Sequence, residues 1–175
     1  NREFSMGFTP SAYSFGAPAG ALHFNMRATA YRPGGRISYA TANRTYTGRV
    51  MGSYNTGMTK SNWAFAVLAS RRFGQEGAIA GTFYDANSLF IAAEKLLSEK
   101  HSINLALLYT PNRRGRSTAL TQEVIDLKGA DYNPNWGYQN DTPRNARNRE
   151  IEEPLAIVSH YWKWNDHSSL NTNLA

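Results

Sequence analysis

Residues 62–95 read NWAFAVLASRRFGQEGAIAGTFYDANSLFIAAEK. Two short apolar runs, rich in small and aromatic residues, flank a Gly-rich loop that carries acidic and aromatic side chains. The first run, Trp63–Arg72, is strand-like and stops on the bare pair Arg71-Arg72. The second is ambiguous. In NSLFIAAEKLL (87–97), Leu89, Ala92, Ala93, Leu96 and Leu97 recur at helical spacing, with Asp85 and Ser88 placed as caps. Propensity alone makes this run an amphipathic helix, so its reading decides between a mixed fold and an all-β one.

The surrounding text favours strands. In RTYTGRVMGSYN (44–55), Tyr46, Val50 and Tyr54 share one parity with Gly48 and Gly52. Thr45, Thr47, Arg49, Ser53 and Asn55 take the other parity, and only Met51 breaks the period of two. In residues 102–110, Ile103, Leu105, Leu107 and Tyr109 alternate with Ser102, Asn104, Ala106 and Thr110, broken by Leu108. Leu170 and Leu174 alternate with Asn171 and Asn173. EPLAIVSHYWKW (153–164) is apolar on both parities before it closes in aromatics. The connections 56–62, 97–102 and 164–169 are short, whereas 73–86 and 111–152 are long and polar. Short turns at one end and long loops at the other is the layout of an up-and-down barrel in an outer membrane, and a soluble β-sandwich can show the same bias by chance. Aromatic residues at segment ends, Trp63, Phe83, Tyr84, Tyr109, Trp162 and Trp164 among them, fit interfacial girdles.

Composition narrows the classes. The 175 residues suffice for one domain. Charged residues make up only 18% while aromatics reach 13%, a balance suited to β-rich proteins with a wetted polar face. The formal charge of +6 raises nucleic acid as a partner through RRGR (113–116) and RNARNR (144–149). With no cysteine, disulfides and thiolate metal sites are excluded. No run of about eighteen apolar residues is present, so no spanning helix is expected. No basic segment followed by an apolar one opens the chain, so no signal peptide is visible. NREFSMGF has no initiator Met and SSLNTNLA stops inside a strand-like pattern, from which a fragment is expected.

SAYSFGAPAGALHFNMRAT (11–29) resembles the end of the plug domain of TonB-dependent outer-membrane receptors. In that family a Tyr-Gly-Ser-Gly-Ala-x-Gly-Gly run leads into a strand and then the barrel. Tyr13, Gly16, Ala17 and Gly20 fall on matching positions, while Ser14, Phe15 and Ala19 depart. ISYATANRTYTGRVMGSYNTGM, the long run from Trp63 to Arg116, NPNWGYQN and RNAR through HYWKW are similar to the first barrel strands of these receptors. The nearest branch is the one whose plug follows a carboxypeptidase-regulatory-like domain. The resemblance implies an all-β fold, part of a barrel of about 22 antiparallel transmembrane strands, with the C-terminal end of its plug. Residues 1–33 would be the end of the plug and its exit. Residues 34–175 would supply the first barrel strands, at about 34–43, 45–56, 62–72, 86–97, 101–111, 153–164 and 168–175. The run 87–97 then becomes a strand, because in lipid every strand must complete its ladder with both neighbours. Trp63, Phe65, Val67 and Ala69 would face lipid, and Ala64, Ala66 and Ser70 the plug and water. Arg71-Arg72 would mark the edge of the hydrocarbon, where a charge costs little.

What the resemblance implies for function is import of a scarce nutrient into the periplasm. The implied location is the cell outer membrane. The implied partners are outer-membrane lipid, a small nutrient ligand and, through parts outside this chain, the inner-membrane TonB complex; a surface lipoprotein that lids the barrel stays open. No enzyme, no cofactor, no metal and no nucleic-acid partner are expected. His23, His101, His160 and His167 show no ligand spacing, and Glu150, Glu152 and Glu153 read as local charge balance beside Arg147 and Arg149. GQEGAIAG lacks the Lys-Ser/Thr of a phosphate loop. The candidate ligand-binding residues lie in 111–152: Trp136, Tyr138, Asn135 and Gln139, whose rings and amides suit stacking and hydrogen bonding, and the basic pair Arg113 and Arg114. The alternative is a soluble β-sandwich that binds carbohydrate or protein through the same loop.

Overall fold

The computed structural model describes residues 2–7 and 19–175. Tyr13, Gly16 and Ala17, on which part of the plug resemblance rests, lie outside the described residues. A small antiparallel pair, β1 (Arg2–Ser5) with β2 (Ala21–Phe24), precedes a single 3-10 turn at Ala28–Ala30. One antiparallel meander follows: β3 (Gly34–Thr41), β4 (Gly48–Met58), β5 (Trp63–Gly74), β6 (Tyr84–Leu96) and β7 (His101–Tyr109). Then come β8 (Asn112–Gly115), the short helix α1 (Gln122–Lys128), β9 (Trp136–Gln139), β10 (Thr142–Asn145), β11 (Asn148–Ile151), β12 (Pro154–Lys163) and β13 (Ser169–Leu174). The sheet order is β13-β12-β7-β6-β5-β4-β3, which leaves β3 and β13 as edges among the described residues. The fold is all-β with one seven-residue helix. No described helix is long and apolar enough to cross a membrane, which says nothing about strands.

The ambiguous run at 87–97 is extended. Trp63 through Gly74 pair with Lys95 back through Tyr84, and Leu89 through Leu96 pair on their other side with β7. Two complete ladders outweigh a helical preference of a few tenths of a kcal/mol per residue.

Sequence and structure part company in the long connections. The expected loop 73–86 shrinks to 75–83, because β5 runs on to Gly74 and β6 begins at Tyr84. The expected loop 111–152 is largely built. β8 keeps the register of β7 against β6, and β11 keeps the register of β12 against its neighbour. Each is the same strand resumed after a two-residue break. At the first break Pro111 has no N–H to give the ladder, while its carbonyl still accepts from Asn87 N at 3.0 Å. Between the resumed strands, β9 and β10 form a hairpin whose two-residue turn, Asn140-Asp141, has φ of 48° and 59°. That is the positive-φ pair a tight hairpin requires, and Asn and Asp tolerate it best after Gly.

The two faces of the sheet differ in an unusual sense. One parity carries Ile37, Tyr39, Val50, Tyr54, Phe65, Val67, Leu89, Leu105, Leu107 and Val158, all exposed. Ile37 is 86% exposed. The opposite parity is covered by the segment around Ala28, and every buried apolar side chain among the described residues is alanine: Ala28, Ala64, Ala66, Ala86, Ala92 and Ala106. Tyr31 and Phe90 pack against this alanine cluster, 5.8 Å apart between ring centres. Most large apolar side chains point away from the covered face; Leu68, Phe90 and Leu108, in register across β5, β6 and β7, stand on it half-buried. At the short-turn end of the exposed face the side chains become aromatic and amphipathic. Trp63 stacks on Phe65 at 5.5 Å with Lys95 Nζ 5.0 Å above its ring, and His101 stacks on Trp162 at 5.4 Å.

Parity gives a direct check. Ala92→Leu should lower stability by about 1–3 kcal/mol by overpacking the face against Ala28. Ala93→Leu, one residue on and on the open parity, should change it by no more than about 0.5 kcal/mol. Unfolding midpoints of the two variants measure the difference.

Candidate functional site

The covered face holds a polar stripe at the short-turn end. Glu94, Asn104 and Ser159 stand side by side in register on β6, β7 and β12, all buried, and Asn173 of β13 continues the row. A carboxylate at 0% exposure needs a full set of partners. Glu94 has them from the segment before the sheet. Arg27 forms an ion pair with Oε1, with Nε at 3.0 Å, while Thr29 donates to Oε2 from its backbone N–H at 3.1 Å and its hydroxyl at 2.7 Å. Arg27 also donates to Ser102 Oγ at 3.3 Å and lies 4.2 Å over the Tyr161 ring. Ala28 N–H donates to Asn104 Oδ1 at 3.3 Å. Residues 27–29 are thereby fastened to three strands of the wall. The stripe opens into a cleft of about 300 Å³ bounded by Asn25, Arg27, Asn104, Ser159, Asn171 and Asn173. The sequence reading passed over Glu94. Its signal is parity: once 84–96 is a strand, Glu94 falls in line with Ala86 and Ala92.

At the long-loop end, two buried amides organise the excursion between β8 and β11. Asn133 Nδ2 donates to the carbonyls of Ala80 (2.7 Å) and Arg116 (3.2 Å). Asn145 Nδ2 donates to those of Gly81 (2.8 Å) and Arg116 (3.0 Å), and its Oδ1 accepts from Arg147 N at 2.8 Å. Both tie this excursion to the 75–83 loop. Gly81, at φ 69°, lies under the Trp136 ring with no room for a Cβ.

Four of the six sequence-derived candidates come together here. Asn135, Trp136, Tyr138 and Gln139 line a groove of about 400 Å³ with Arg144. Their roles within it differ. Asn135 Nδ2 is engaged by Thr118 Oγ1 at 3.0 Å, Gln139 Oε1 accepts from Arg144, and Trp136 seats on Gly81. Tyr138, 79% exposed, is the ring that faces outward freely. Arg113 and Arg114 do not join this groove. They are successive residues of β8 and take opposite faces: Arg113 lies over the Phe83 ring at 5.3 Å, and Arg114 sits on the covered parity. The histidines, unrelated by spacing, are partly reunited: His101 Nδ1 and His160 Nε2 lie 3.1 Å apart on the exposed face. Among the described residues no three His, Cys, Asp or Glu side chains converge as a metal site.

Family models, curated proteins and solved structures offer no match to this chain.

The Arg27–Glu94 clamp makes a quantitative prediction. Arg27→Met leaves a buried carboxylate unpaired and should cost about 3–5 kcal/mol. Adding Glu94→Gln should recover a large part of that loss, so a double-mutant cycle on unfolding free energies should return strong coupling. Additive losses would mean that the two groups act independently.

Proposed function

We propose that this chain is the plug exit and first-strand portion of a TonB-dependent outer-membrane transporter, and that the whole protein imports a scarce nutrient into the periplasm. The observation that carries the reading is the inverted sheet. A soluble sandwich buries its large apolar residues between layers. Here most of them stand on the open face, and the buried side chains of the covered face are alanine, serine, asparagine and glutamate, with Leu68, Phe90 and Leu108 half-buried among them. Such a sheet is at rest only when the open face meets something as apolar as itself, and hydrocarbon supplies that. The strands β4 to β7 and β12, of 9 to 13 residues, match or exceed the length a tilted strand needs to cross a bilayer. The aromatic and Lys95 cluster at the short-turn end suits the lipid–water boundary.

In this reading the seven meander strands are a section of a barrel of about 22 strands. The edges at β3 and β13 pair with strands outside the chain. Residues up to about 33 belong to the plug, and the clamp on Glu94 is where the plug is anchored to the wall. The long-loop end faces outward, with Tyr138 and Trp136 offering rings to a ligand and Arg113 or Arg114 offering charge. Coupling to the inner-membrane TonB complex, and any lipoprotein lid, reside in other parts of the protein. The protein performs transport rather than covalent chemistry.

Two measurements test this. The full protein should sediment with outer membranes and migrate differently on gels before and after boiling; recovery as a soluble monomer that unfolds cooperatively without detergent would refute it. Within the barrel, Leu105→Arg on the open parity should destabilise the folded, inserted form by about 2–4 kcal/mol. Asn171→Arg on the covered parity should be tolerated.

A further inference from the structure

The arginines of the two faces are treated differently at the long-loop end. On the open face each has a carboxylate beside it. Arg71 lies 3.5 Å from Asp85, and Arg113 is in register with Asp85 on one side and Glu150 on the other. On the covered face none does. Arg72 is directly opposite Arg49 across β4 and β5, and its other neighbour is Ala86. Arg114 is directly opposite Arg149, and its other neighbour is Tyr84. Like charges facing each other across a ladder are unfavourable, and this face repeats the arrangement twice. The Nε atoms of Arg49, Arg72 and Arg114 are buried with no hydrogen-bond acceptor among the described residues. Glu76, four residues after Arg72, accepts from Gly81 N–H at 2.8 Å, Glu152 accepts from Tyr109, and among the described residues no carboxylate forms an ion pair with these arginines.

A cleft of about 480 Å³ opens beside Arg114. Its walls include Arg44, Arg114, Arg116, Tyr84, Thr45 and Ser117, and no carboxylate. Two rings separate it from Arg72, which is outside its lining: Tyr84 of the cleft lies 6.2 Å from the Tyr46 ring, and the Arg72 guanidinium is 6.0 Å from Tyr46. Buried donors without acceptors, repeated like charge and an open polar volume together describe a place shaped for a guest that brings oxygens and negative charge. Guanidinium forks bind carboxylate, sulfate and phosphate groups in two-pronged fashion.

We propose that Arg72 and Arg114, backed by Arg49, Arg44 and Arg116, form an oxyanion site on the inner face at the long-loop end, and that the imported solute is organic and anionic. The cleft falls within the size range of small-molecule sites, far larger than a bare ion fills. The proposal rests on the transport reading and narrows its substrate class.

The test uses the full protein purified from outer membranes in detergent, with insertion verified on the same preparation by the mobility change on boiling. Calorimetric titrations use tetragalacturonate, its neutral methyl ester, inorganic phosphate and inorganic sulfate. Tetragalacturonate should bind, weaken as salt rises, and lose affinity by about tenfold or more in Arg72→Gln/Arg114→Gln. Arg71→Gln on the other face should leave its affinity within about twofold. Arg72→Lys/Arg114→Lys, which keeps charge but not the fork, should fall between. Equal binding of the methyl ester, or no effect of the inner-face variants, would overturn the proposal. Binding of phosphate or sulfate as tight as tetragalacturonate would overturn the organic-solute assignment. No anion binding, together with a lower melting temperature for ligand-free Arg72→Gln/Arg114→Gln, would mean that the protein's own plug neutralises these arginines, which also overturns it. In each of these cases an inserted protein leaves the transport reading standing; a protein that never inserts removes both.

Discussion

A β-ladder seals its own backbone polar groups but leaves the choice of what each face touches to the side chains. In this chain that choice is made mostly one way along the long strands, with the covered row Leu68, Phe90 and Leu108 departing from it. Val67, Ile91 and Leu107 meet across β5, β6 and β7 on one face, and Ala66, Ala92 and Ala106 meet directly behind them on the other. The covered face is then too thin and too polar to act as a full hydrophobic core: its buried apolar side chains among the described residues are Ala64, Ala66, Ala86, Ala92 and Ala106, with Leu68, Phe90 and Leu108 only half-buried. The hydrophobic effect must be satisfied from the other side. Everything proposed about lipid, lumen and plug follows from that asymmetry.

The chemistry of the covered face fits the same division. A thin alanine layer lets the segment around Ala28 approach the wall closely, and closeness allows Thr29 N–H and Ala28 N–H to reach Glu94 and Asn104 directly. Glu94 is the one buried acid on that face, and it is consumed by Arg27 and Thr29 at the short-turn end. At the opposite end Arg49, Arg72 and Arg114 have no ion-pair partner among the described residues. A wall that anchors one end with a paired charge and keeps unpaired charge at the other holds a gradient in electrostatic potential along its inner surface. An anionic solute entering from the long-loop end would meet the arginines first.

The parts of this arrangement legible in sequence are those governed by period two. Ile103 to Tyr109 announce their face without help, and Leu170 and Leu174 do the same. The run 87–97 is not legible by pattern, because Ala92, Ala93 and Leu96 satisfy helical and extended periods equally; the two neighbouring ladders decide it. The excursion 111–152 hid its order for a different reason. Its strands are only four residues each, and what fixes them is a resumed register and the amides of Asn133 and Asn145 reaching carbonyls far away in sequence. Those contacts leave no periodic trace. The candidate aromatics Trp136 and Tyr138 were readable as a cluster, yet sequence could not say that Arg113 and Arg114 would turn their backs on each other.

The central claim is that hydrocarbon covers one parity and water or plug the other. The 175 residues hold no cysteine, so single thiols introduced along them are unique within this segment. Bimane attached at Val67→Cys and Leu105→Cys on the open parity, and at Ser88→Cys and Asn171→Cys on the covered one, can be titrated with brominated lipid in reconstituted full protein. The account predicts strong quenching at the first pair and little at the second. Equal quenching on both parities, or none at Val67 and Leu105, would contradict it.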